Sequence, residues 1–87
     1  MSYEVRFTPA VDRQIGKLPR GIRPKIIARA EALADNPRPH GVKRLTNAEQ
    51  GTYRIREGDY RIVYDIEDDV LLVLVVRVCT PLEAYSR

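Results

Sequence analysis

The chain has 87 residues, 44% of them hydrophobic and 31% charged, with a formal net charge of +3. That length supports one domain around one small core, so residues 1–87 are expected to form a single unit. One cysteine, Cys79, excludes an internal disulfide, and one histidine, His40, leaves too few ligands for a zinc site, so no metal or cofactor is expected.

The longest apolar run, residues 70–76, is too short to cross a membrane and too β-branched to favour a helix. The first residues lack the basic-then-apolar order of a secretory signal. A cytoplasmic protein without membrane contact is the expectation. Charge is uneven: residues 1–46 hold ten Lys or Arg against four acids, and residues 47–87 hold five against eight. A basic excess suits a nucleic acid or an acidic protein partner, and solubility alone explains it equally well.

In chain order, residues 3–7 alternate and predict a short strand with Tyr3, Val5 and Phe7 inward. Thr8-Pro9 is a helix start, a hydroxyl cap followed by proline at the first helical position. Val11, Ile15 and Leu18 then mark one helix face. Pro19-Arg20-Gly21 breaks that helix. A second follows with Ile22, Ile26, Ile27, Ala30, Leu33 and Ala34 on one side, stopped by Asn36-Pro37. The pair predicts a helical hairpin. Residues 37–50 are expected to be a loop anchored by Val42 and Leu45. Three strands follow, near 52–56, 59–66 and 70–78, with linkers short enough for an antiparallel meander. The last is apolar on both faces, which predicts a covered position. The order is β-α-α-β-β-β, an α+β domain with an N-terminal strand and helical hairpin packed on a small antiparallel sheet.

The segment from Gly51 to Ile66 carries the functional argument. Pairing Ile55 with Tyr60 and Tyr53 with Ile62 gathers apolar residues on one face. It sets Arg54 opposite Arg61 on the other, with Arg56 beside them. Like charges placed opposite one another destabilise a sheet. Such a cluster suits phosphate, whose oxygens match the guanidinium fork. Outer-face arginines paired with Asp59 and Asp65 fit the same pattern. Tyr53, Tyr60 and Tyr64 fall on the apolar face and are expected in the core.

The second-strand YRIR, the following GDYRIVYDI, the acidic turn, the apolar LLVLVVRV and a tyrosine near the end resemble the RelE/ParE superfamily of bacterial toxins. The resemblance spans nearly the whole chain, and GDYRIVY is its most specific part. Among superfamily members it is most similar to the RelE-like toxins, which cut messenger RNA in the ribosomal A site. It implies catalytic roles for Arg54, Arg56, Arg61 and Tyr85, with Arg61 stabilising charge on the scissile phosphate and Tyr85 lying against the nucleotide or aiding proton transfer. It implies attack of a ribose 2′-OH on the adjacent phosphate, without a metal. Arg23, Lys25, Arg29, Lys43, Arg44 and Arg77 would contact ribosomal or messenger RNA phosphates. The implied partners are the ribosome with its mRNA and a cognate antitoxin, in a hetero-oligomer that reaches operator DNA through the antitoxin.

The chain departs from the RelE-like pattern after the last strand. Where such toxins carry a basic residue and then an arginine, this sequence has Thr80 and Pro81. The departure keeps open a ParE-like toxin that poisons gyrase, and a binding or co-repressor module with weakened catalysis.

Overall fold

The computed structural model describes residues 2–45 and 52–80. The elements follow in the order β1 (Glu4–Phe7), α1 (Pro9–Gly16), α2 (Arg23–Glu31), β2 (Lys43–Arg44), β3 (Thr52–Glu57), β4 (Tyr60–Glu67) and β5 (Leu72–Cys79). Two 3-10 turns, Ala32–Ala34 and Asp68–Val70, extend α2 and lead towards β5. The strands make one sheet in the order β1-β5-β4-β3-β2.

The α+β expectation holds, and the core forms where the periodicities place it. Thr8 caps α1, its hydroxyl accepting the Val11 N–H at 3.2 Å with Pro9 in the first turn. Val11 and Ile15 of α1, Ile26 and Ala30 of α2, and Leu33 pack on one sheet face against Ile55, Ile62, Tyr64, Ile66, Val73 and Val75. Complete burial of one such side chain contributes about 1.5–3 kcal/mol. The helices therefore cover one face and leave the other to the polar positions of β3 and β4.

Four features differ from the sequence expectation. First, β1 runs parallel to β5, with Val5 beside Val73 and Phe7 beside Val75. The chain leaves β1 straight into two helices, so no hairpin turn dictates its direction. Second, the predicted loop contains β2, whose Lys43 and Arg44 pair with Arg54 and Tyr53. Two charged residues carry no alternation that would announce a strand.

Third, the hairpin register is shifted. Ile55 faces Ile62, Arg54 faces Val63, and Arg56, not Arg54, faces Arg61. Glu57 pairs with Tyr60, so Gly58-Asp59 is a two-residue loop. Its tightness rests on the positive φ of Gly58, 59°, which primed hairpin turns require. The shift is two residues, so every side chain keeps its face.

Fourth, β5 bulges. Val63 pairs with Arg77 but Tyr64 pairs with Val75, so Val76 is skipped. The bulge reconciles two apolar stretches that are out of phase. It leaves Val73, Val75 and Val78 buried on the helix side and turns Arg77 to the opposite face. With β1 on one side and β4 on the other, β5 is interior to the sheet, as its two apolar faces predicted.

Candidate polyanion-binding face

Ladder partners share a face, so the register defines what the side away from the helices presents. One row across the sheet runs Arg56–Arg61–Cys79. The next runs Lys43–Arg54–Val63–Arg77. A third runs Thr52–Asp65–Leu74–Arg6. Four arginines and a lysine thus stand in two adjacent rows with no acid among them. Strands lie about 4.8 Å apart, so Arg54 and Arg77 are roughly 10 Å from one another.

Arg61 is the centre of this group. It is 7% exposed and is the buried charged residue of the described part of the chain. Its Nε has no hydrogen-bond partner among the described residues. Leaving such a donor buried and unpaired costs about 1–3 kcal/mol. The solvated outer-face arginine expected at this position is therefore not what the fold contains. Neither acid proposed to pair with it does so. Asp65 accepts the Thr52 hydroxyl at 2.6 Å, and Asp59 is exposed in the hairpin loop. Arg56 is exposed and lies directly across from Arg61.

A cleft of about 470 Å³ opens at the C-terminal end of β5, bounded by Lys17, Leu18, Tyr60, Arg77, Cys79 and Thr80. It reaches from the helix layer round to the basic rows, and its volume lies within the range of small-ligand sites. Gln14 closes its floor, its Oε1 accepting the Val78 N–H at 2.8 Å beyond the point where β1 ends.

The remaining candidates divide. Lys43 and Arg77 join the basic rows. Arg44 lies across from Tyr53, on the helix side of the sheet edge. Arg23, Lys25 and Arg29 belong to α2, in the layer behind the sheet. Arg23 donates from Nε to the Leu18 carbonyl at 2.8 Å and from Nη2 to the Gly16 carbonyl at 2.7 Å. It thereby satisfies carbonyls that the end of α1 leaves open. Arg29 lies 3.9 Å from Glu57, and Lys25 is exposed. Tyr85 and Pro81 lie outside the described residues.

A second cluster was not foreseen. Arg38 donates from Nη1 and Nη2 to the two carboxylate oxygens of Asp68, at 3.2 and 2.9 Å, and from Nε to the Tyr53 hydroxyl at 3.3 Å. The Tyr3 hydroxyl donates to the same carboxylate at 2.6 Å. These bonds, Arg38's foremost, hold the Asp68 carboxyl down to about 2. The Arg38 guanidinium also lies 5.3 Å from the Tyr53 ring centroid, and Tyr53 stacks on Tyr64 at 6.1 Å. Arg38 stands between two prolines in a stretch without periodicity, so no local signal marks it.

A sheet backed on one side by two helices, with Arg54, Arg56, Arg61 and Arg77 on the other, defines a small α+β domain. The family follows from comparison with known proteins. A model described as the ParE toxin of type II toxin–antitoxin systems matches residues 5–83. Toxin RelG of Mycobacterium tuberculosis is 35% identical over 88 residues, covering 100% of both chains. A chain in the toxin–antitoxin complex RelBE2 of the same organism superposes with a TM-score of 0.81 at 33% identity, over 92% of this chain and 99% of that one. The archaeal RelE–RelB complex from Pyrococcus horikoshii shares the fold, with a TM-score of 0.80 at 23% identity over 92% and 96% of the two chains. The chain belongs to the ParE toxin family, within the RelE/ParE superfamily, and is a toxin of a type II toxin–antitoxin system.

Proposed function

We propose that this toxin is a ribosome-dependent endoribonuclease that cleaves messenger RNA in the A site and halts translation in the cytoplasm. The observation that carries the reading is Arg61, buried beside Arg56 with no acid in its row and with no partner for its Nε among the described residues. A phosphate brought to that row supplies the missing acceptor and neutralises the repulsion between the two guanidinium groups.

The chemistry follows from what arginines can do. The ribose 2′-oxygen attacks the adjacent phosphorus, and the bond to the 5′-oxygen breaks. The products are a 2′,3′-cyclic phosphate and a 5′-hydroxyl. Negative charge grows on the phosphate oxygens in the transition state, where Arg61, Arg56 and Arg54 stabilise it. A guanidinium remains protonated at neutral pH, so none of the three takes the 2′-OH proton. Tyr85, by family resemblance, stacks on the nucleotide or assists that transfer. The ribosome supplies the alignment of the reacting groups. Lys43 and Arg77 extend the phosphate-binding row, and Arg23, Lys25, Arg29 and Arg44 offer outlying contacts to ribosomal RNA.

We also propose a cognate antitoxin as partner. Support comes from relatives solved as toxin–antitoxin complexes. The antitoxin covers the basic face, and operator DNA is reached through it.

Induced expression without a partner is expected to arrest translation and to leave A-site cuts visible by primer extension. Arg61→Ala should abolish the cuts, a loss of roughly 100-fold or more if it removes one transition-state charge contact. The family match to ParE and the Thr80-Pro81 departure favour a second reading, inhibition of gyrase. Intact messages with arrested supercoiling would select it.

A further inference from the structure

The strand β2 is a weak element in a demanding place. It is two residues long and sits at the sheet edge. It sets Lys43 directly across from Arg54, and like charges in that position repel. Its own ladder is short, and among the described residues it ends with the Leu45 N–H donating to the Thr52 carbonyl at 3.1 Å. Something outside β2 must hold it.

The preceding residues are fastened to the sheet from the helix side. The Tyr64 hydroxyl donates to the Pro37 carbonyl at 2.7 Å, in a buried bond. Arg38 then grips Asp68, at the start of the turn between β4 and β5, through a two-pronged pair, and touches Tyr53 on the strand that β2 must join. Past Arg38, the Val42 N–H donates to the Pro39 carbonyl at 3.1 Å and turns the chain into β2. Arg38 and Asp68 lie off the basic face, yet the segment they tie down ends at Lys43.

We propose that Arg38 and Asp68 are positioning residues for the basic face: their ion pair fastens the segment before β2 so that Lys43 stands beside Arg54 as an additional phosphate contact. This rests on the polyanion reading above and deepens it. The consequence runs against simple charge counting. Removing an acid raises the net positive charge and should tighten RNA binding. Removing Asp68 releases Lys43 and weakens it.

The test uses the purified full chain and a short single-stranded oligouridylate, with affinity measured across salt concentration. Lys43→Ala should reduce the slope of log affinity against log salt by about 0.7, the value of one phosphate contact on single-stranded nucleic acid. Asp68→Ala should weaken binding and reduce the slope in the same direction, with no further loss in the double variant. Asp69→Ala, the same charge change one residue on, should not weaken it. Amide exchange of Leu45 should quicken in Asp68→Ala, a readout that needs no RNA. Tighter RNA binding by Asp68→Ala, full additivity with Lys43→Ala, or an unchanged Leu45 amide would each overturn the proposal. If Arg56→Ala, Arg61→Ala and Lys43→Ala all leave affinity unchanged, the polyanion reading falls and this proposal with it. If those three weaken binding and Asp68→Ala does not, the proposal alone falls.

Discussion

At the scale of single residues, two arginines, Arg38 and Arg61, show how the same chemistry serves opposite ends. Arg38 and Asp68 satisfy one another, with Tyr3 and Tyr53 completing the set. Arg61 is buried, and its Nε has no partner among the described residues. The first is a structural tie, and the second sits in a row with Arg56 and no acid. The tie has a pH signature. The Asp68 carboxyl drops from 3.8 to about 2 in the folded chain. Its contribution is therefore fully present above about pH 4 and is lost as pH falls towards 2. Melting temperatures of the native chain and Asp68→Ala should differ most near neutrality and converge across that acid window. Divergence on acidification would show that the depressed carboxyl is not stabilising.

The elements show where local chemistry sufficed and where it did not. The start of α1 was legible because Thr8-Pro9 carries its own cap and its own φ. The β3–β4 hairpin was legible as a hairpin, yet its register slipped by two. Alternation constrains which face a residue takes and is indifferent to shifts of two. Gly58 resolves that ambiguity through its backbone. A side chain there meets no atom within 4 Å, so the cost of adding one is conformational. Gly58→Ala should destabilise by about 1 kcal/mol or more, read from the urea midpoint. Gly21→Ala, equally open and without the positive φ, should be neutral or slightly stabilising. Equal effects of the two changes would remove the turn argument. The strand β2 was illegible because two charged residues at an edge have no period, and they pair with Arg54 and Tyr53, nine or more residues further along.

For the molecule as a whole, the sheet separates two tasks. The helix side holds the apolar core, and the other side holds the cationic rows. With a margin of roughly 0.05–0.15 kcal/mol per residue, a chain of this size tolerates little loss in that core. Ile62 is fully buried between Ile55 and Val78 on the neighbouring strands. Ile62→Ala should cost about 2–5 kcal/mol in denaturant unfolding, a large part of the total. A substitution of exposed Arg56 on the far face should leave stability within about 0.5 kcal/mol. A comparable loss at both positions would mean that the two faces are not independent.

The family, the order of every element except β2, and the face on which Arg54, Arg56 and Arg61 stand were present in the order of residues. Each depends on short-range patterns: a cap, a period of two or 3.6, a glycine in a turn. Folding in three dimensions decided the rest. It paired Arg56 with Arg61, set β1 parallel to β5, turned Arg77 outward through a skipped valine, and joined Arg38 to a carboxylate 30 residues away. These arise from contacts between segments distant along the chain, where the energy lies in packing and pairing that no local window contains.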